Sequence, residues 1–234
     1  MGMTQELVLL AGTAAMIGFV HTLIGPDHYL PFIFIAKARK WSMMKTSWIT
    51  LACGIGHVGS SLLLGFIGIG FGVALRKLEF FEGFRGNLAA WAFVLFGLGY
   101  MIWGIRRSII NKPHHHVHYH DDGTMHTHDH SHSNSHDHEH KKNITPWILF
   151  TIFVLGPCEP LIPILMYPAA QSSISGVIFV SLIFALTTIA TMLAIVLMTT
   201  FGFNFLPLGK LERHTHAIAG GIVFLSGIAI LLGL

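Results

Sequence analysis

Six side chains able to bind a metal ion or move a proton interrupt otherwise apolar runs: His21, Asp27, His28, His57, Cys158 and Glu159. His21 and His28 are seven residues apart, two turns of a continuous helix, which sets both on one face beside Asp27. Cys158 and Glu159 are adjacent. Together the six offer imidazole nitrogens, carboxylate oxygens and one thiol. Magnesium and calcium favour oxygen-only donor sets, whereas imidazole-rich sets suit nickel, cobalt, zinc, copper or ferrous iron. A lone histidine in an apolar helix is often a packed hydrogen-bonding residue, and a lone cysteine is often a small hydrophobe. For His57 and Cys158, ligand and packing residue therefore both stay open. Thr187, Thr188 and Thr191 are read as bonding back to their own helix.

A second store of imidazole lies in residues 114–140, which hold 12 of the 17 histidines. They are His114, His115, His116, His118, His120, His126, His128, His130, His132, His136, His138 and His140. Asp121, Asp122, Asp129, Asp137 and Glu139 are interspersed. No apolar periodicity runs through the segment, so it is expected to be disordered without ligand. Alternating imidazole and carboxylate on a flexible chain chelates divalent ions in many arrangements, which suits capture or buffering. A pH-sensing role is the competing reading, since many imidazoles titrate together. An affinity tag is disfavoured, because the run is internal and mixed with acids.

The elements that must position the first group are membrane spans. Of 234 residues, 53% are hydrophobic and only 11% charged, and the mean hydropathy is +0.64. Soluble domains carry about 25% charged residues, so a soluble enzyme is excluded as the first reading and an integral membrane protein takes its place. Six stretches are apolar and long enough to cross a bilayer: Glu6–Ala36, Ser47–Leu75, Asn87–Ile105, Pro146–Ala170, Ser173–Phe203 and Thr215–Leu234. The N-terminal run lacks a basic start and a small-residue cleavage site, and reads as a retained first span. Lys and Arg number 11 in the first, third and fifth connections against 3 in the others. The positive-inside rule then places both termini outside and the histidine-rich loop in the cytoplasm of the cell (inner) membrane. The net charge of +3 comes from these loop clusters and gives no sign of nucleic-acid binding. Cys53 and Cys158 lie in apolar runs and imply no disulfide framework.

Spans 1 and 4 share one peculiarity. The first contains Gly25-Pro26-Asp27-His28 with Pro31 following, and the fourth Gly156-Pro157-Cys158-Glu159-Pro160 with Pro163 following. Proline removes a backbone donor and pushes its predecessor out of the helical region, so each Gly-Pro marks a break. Matching breaks in two halves of three spans point to an inverted repeat with a site near the midplane. Asp27 and Glu159 are read as the only acidic residues deep in the spans, each just after a break, where an uncompensated carboxylate is costly.

With these residues in hand, the chain resembles the nickel/cobalt transporter group. His21-Thr-Leu-Ile-Gly-Pro-Asp27-His28 is similar to the H-x5-D-H of hydrogenase- and urease-accessory metal permeases, and has one residue more than the H-x4-D-H of related permeases. The resemblance implies that His21, Asp27 and His28 recognise the metal, and the histidine-rich loop is similar to that of the efflux branch. The Pro157-Cys158 pair also looks like the Pro-Cys of thiol-reductant conducting membrane proteins of the cytochrome c biogenesis and DsbD type. Those use one reactive Cys in each half. Here Asp27-His28 stands in the first half and Cys53 sits elsewhere, in span 2, which weighs against that comparison.

The resulting expectation is an all-α integral membrane protein of six transmembrane helices in two inverted three-helix repeats. The halves are 1–106 and 146–234, joined by the cytoplasmic loop 107–145. The function expected first is transport of a divalent transition-metal ion (nickel or cobalt, with zinc or iron as others), with no resident cofactor and no enzymatic activity. The partners expected are the ion and the lipid bilayer, with a homo-oligomer or a metallochaperone not readable. The alternatives are a transmembrane thiol-reductant conductor and a small-anion exporter of related architecture. The exporter is suggested by the positive ends of broken helices and opposed by the two carboxylates.

Overall fold

A computed structural model describes residues 2–73, 75–110, 114–119, 125–130, 144–158, 160–170, 173–203 and 209–233. Among them are eight α-helices. α1 is Gly2–Ile24 and α2 is Leu30–Ala38, with the short 3-10 turn Pro26–His28 between them. α3 is Met43–Gly70, α4 Leu75–Ile110, α5 Thr145–Leu155, α6 Leu161–Ala170, α7 Ile174–Phe203 and α8 Thr215–Leu231. Five stretches are long and apolar enough to cross a membrane: Gln5–Ile24, Met43–Gly70, Leu75–Ile110, Ile174–Phe203 and Leu211–Leu231. The fourth expected span is two short helices, α5 and α6, meeting at Gly156–Pro160. The chain is thus an integral membrane protein with a helical body, broken at both Gly-Pro sequences.

Large apolar side chains such as Leu9, Trp48, Leu95 and Met198 stand exposed around the body, as helices facing lipid require. Inside, small residues let helices approach closely. α4 and α8 pack along their length. A Cβ on Gly97 or Gly104 would strike the α8 backbone at Phe224 or Ala217, and one on Gly220 would strike Met101 of α4. α1 packs on α7, where Gly18 admits Thr188 and Phe184. α3 lies between α7 and α5, with Gly54 against Ile189 and Gly56 against Val154 and Phe150. Two apolar clusters fill the interior. One gathers Phe32, Cys53, Phe93, Phe153 and Met192, and the other Val58, Cys158, Leu161 and Phe184.

Two expectations change. Span 3 begins about a dozen residues earlier than Asn87, because the charged run after Leu75 is helical and Glu82 within it is only 2% exposed. Glu82 is therefore a deep carboxylate that the apolar-run criterion passed over, and Arg85 leaves the connection for the helix. The histidine-rich loop, expected to lack structure, contains an antiparallel hairpin of β1 His114–Tyr119 and β2 Met125–His130. Its register pairs His114 with His130, His116 with His128 and His118 with His126. His120, His132, His136, His138 and His140 lie outside the described residues, as does Glu159. Thr187 and Thr191 bond back to Ile183 and Thr187, as their positions in a helix favour. Thr188 Oγ1, expected to do the same, has no hydrogen-bond partner among the described residues and packs at Gly18 of α1 instead.

Candidate functional site at the two helix breaks

The first break follows from Pro26, which cannot continue the α1 hydrogen-bond ladder. α1 ends with Gly25 N–H donating to the His21 carbonyl, and the chain turns through Pro26–His28 before α2, which carries Pro31 in its first turn. Gly25 is required sterically, since a Cβ there would lie 2.6 Å from His28 Nδ1. The turn folds His28 inward. Its Nδ1 lies 3.2 Å from the Gly25 carbonyl and 3.2 Å from Asp27 Oδ1. A carbonyl only accepts, so Nδ1 carries the proton, and in the neutral ring Nε2 presents its lone pair.

The second break ends α5 at Gly156, and Cys158 begins α6 by accepting from Leu161 N–H. His57 reaches this break from α3, its ring centroid 6.1 Å from that of Phe153. A Cβ on Gly156 would lie 3.2 Å from His57 Nδ1. The rings of His21 and His57 flank that of His28, with centroids at 4.8 and 5.0 Å and edge-to-face planes. Among the described residues, Nε2 of all three is buried without a hydrogen-bond partner. Three such orphans in one place are costly unless a proton, a ligand or a metal ion uses them.

The breaks meet across a cavity of about 590 Å³ lined by His21, Asp27, His28, His57, Gly156 and Pro157. Cys158 is 0% exposed and takes no part in that lining. Its sulfur nevertheless belongs to a tight group: one nitrogen each of His21 and His57 and the Cys158 Sγ all lie within 4.8 Å of one another. The structure thus brings His21, Asp27, His28, His57 and Cys158 to one place. It sets Asp27 as the partner of His28 rather than in the three-atom group.

The sequence reading missed what holds the second break. Arg85 Nη1 pairs with Glu82 Oε1 at 2.6 Å, and Nη2 donates to Ser60 Oγ and to the Val154 and Gly156 carbonyls. Glu82 Oε2 accepts from Ser61 Oγ and from Cys158 N–H at 3.2 and 3.3 Å. The available signal was the i,i+3 spacing of Glu82 and Arg85 within a phenylalanine-rich run. His214 and His216 stand apart. His216 bonds Tyr100 Oη at 2.8 Å and packs on Trp103.

Compared with known families, the model described as "Cytochrome C biogenesis protein transmembrane region" matches residues 10–229. No curated protein and no solved structure matches the chain. This overturns the expected membership of the nickel/cobalt transporter group. That expectation rested on the His21–His28 motif, the six-span layout and the histidine-rich loop, whereas the family match runs through residues 10–229.

Proposed function

Because the chain belongs to the family of the cytochrome C biogenesis protein transmembrane region, we propose that it conducts thiol reductant across the membrane, with Cys158 as the exchange thiol. The observation that carries this is the Cys158 Sγ grouped with His21 and His57 nitrogens within 4.8 Å. Thiolate is the nucleophile in disulfide exchange, and a neighbouring imidazole lone pair is the usual acceptor of its proton. Cys53 lies in the other apolar cluster and neither cysteine is in a disulfide, so the proposed cycle uses one protein thiol.

In the cycle, the Cys158 thiolate attacks an acceptor disulfide. That S–S bond breaks, a mixed disulfide forms, and the first acceptor thiolate leaves with the proton held by imidazole. A donor dithiol protein then attacks the Cys158 sulfur and releases the second acceptor thiol. The donor's remaining thiol closes its own disulfide and restores Cys158. Two electrons and two protons pass from dithiol to disulfide, and Cys158 returns unchanged. The two matching breaks support arranging 1–106 and 146–234 as inverted halves, which would open the site to each side in turn. The lysine and arginine bias supports placing both termini outside.

The test is reduction of a disulfide probe sealed inside proteoliposomes by an external dithiol donor. Transfer is expected to vanish in Cys158→Ser and persist in Cys53→Ser. Transfer that survives Cys158→Ser overturns the reading.

The same donor set favours a second reading, a transition-metal ion held by His21, His57 and Cys158. Two nitrogens and a thiolate fit a borderline or soft ion. The His28–Asp27 pair beside them is the kind of hydrogen bond that orients metal-binding imidazoles. Metal analysis of the purified protein separates the readings. A stoichiometric ion lost in His57→Ala favours the site as a metal centre, and a metal-free protein that still transfers electrons excludes it.

A further inference from the structure

We infer that Glu82 and Arg85 are the positioning pair of Cys158: the ion pair holds the α5–α6 break shut over the thiol, and its release brings the sulfur to the cavity. The geometry is that of a double cap. Where α5 stops, the carbonyls of Val154 and Gly156 have lost their helical donors, and the Arg85 guanidinium supplies them at 2.8 and 3.4 Å. Where α6 starts, the Cys158 N–H has no helical acceptor, and the Glu82 carboxylate and Ser61 hydroxyl supply it at 3.3 and 3.2 Å. Cation at a helix C-terminus and anion at a helix N-terminus also match the two helix dipoles.

The same clamp reaches the other half of the site. Ser60 Oγ accepts from Arg85 and donates to the His57 carbonyl at 2.9 Å, so α3, which carries His57, is tied to the break that carries Cys158. Gly86, one residue beyond Arg85, lets α4 seat directly on Pro157, since a Cβ would lie 2.8 Å from Pro157 Cγ. With the pair intact, Cys158 is fully buried. Exchange with any disulfide larger than the space around the sulfur therefore needs these bonds to open. Beside Glu82 a smaller cavity of about 260 Å³, shared with Glu79, Gly83 and Ile162, gives the carboxylate room to move.

Cys158 is taken as the exchange thiol from the reading above. That choice is tested by transfer in Cys158→Ser, and the pair by thiol accessibility, so either can fail alone. The experiment measures alkylation by a small membrane-permeant maleimide in intact protein in membranes. Cys158 is read in a Cys53→Ser background and Cys53 in a Cys158→Ser background. Losing a charge-assisted hydrogen bond shifts an opening equilibrium about tenfold or more. Glu82→Gln and Arg85→Met are expected to raise Cys158 labelling by that factor while Cys53 labelling stays within about twofold. Arg85→Lys restores the charge without the fork and is expected to fall between wild type and Arg85→Met. Ser61→Ala, which keeps the ion pair, guards against variants that fail to fold, and is expected to give a smaller rise. Unchanged Cys158 labelling in Glu82→Gln, Arg85→Met and Ser61→Ala overturns the assignment, as does an equal rise at both cysteines.

Discussion

Nδ1 of His28 sits 3.2 Å from Oδ1 of its sequence neighbour Asp27, and this contact decides which face of the ring the cavity sees. With Nδ1 engaged, Nε2 is turned among the His21 and His57 rings. Removing a carboxylate that orients a metal-binding imidazole typically costs about 10- to 100-fold in metal affinity or activity, and the same scale is taken for this pair. Asp27→Ala is expected to lower thiol transfer by that range. Asp27→Asn retains an acceptor oxygen and is expected to recover part of it. Equal transfer in wild type and Asp27→Ala would show that His28 needs no partner.

Gly25 makes the same arrangement sterically demanding. A methyl group there would press on Nδ1 of His28 at 2.6 Å, whereas one on Gly12, inside α1, meets nothing within 4 Å. Overpacking of this kind costs about 1–3 kcal/mol. Gly12→Ala, by contrast, gains about 0.5–1 kcal/mol of helix propensity. Thermal unfolding in detergent is expected to move in opposite directions for the two variants. A shared direction would mean that the His28 ring yields freely to Gly25→Ala.

The breaks were legible because proline acts on its own backbone: Gly25-Pro26 and Gly156-Pro157 interrupt their helices whatever surrounds them. The gathering of His21, His28, His57 and Cys158 was legible for the same reason, since polar atoms in so apolar a chain have few places to go. Glu82 and Arg85 were not. Read along the chain, Arg76-Lys77-Leu78-Glu79 looks like a loop, and only the contact with Cys158, 76 residues away, makes Glu82 an interior residue. The family was misjudged for a related reason. His21 through His28 is a compact local signal, while the layout shared with the cytochrome c biogenesis family is spread over residues 10–229.

Gly97 tests the packing on which α4 depends. Its missing side chain lets α4 touch the α8 backbone at Val223 and Phe224, which cannot rotate aside. Gly99, two residues on, faces away from the helix bundle with open space around it. Gly97→Leu is expected to cost at least the roughly 3 kcal/mol that marks the upper end of ordinary overpacking, seen as loss of monodisperse protein on size-exclusion chromatography. Gly99→Leu is expected to behave as wild type. Similar yields for both would mean that α4 and α8 part without penalty.

The hairpin of β1 and β2 pairs its strands with each other, and the cavity is lined without it. Replacing residues 114–140 by a Gly/Ser linker should therefore leave the helical body intact. Twelve histidines leave with the segment, and imidazole is the commonest protein ligand for divalent transition metals. Equilibrium dialysis against zinc is expected to show most of the bound metal gone. Thiol transfer in proteoliposomes and the unfolding temperature are expected to stay at wild-type values, since Cys158, His21 and His57 are all held by other elements. A deletion variant that binds as much zinc as wild type would remove the metal role from the loop. One that folds but no longer transfers electrons would place part of the transfer route in the loop itself.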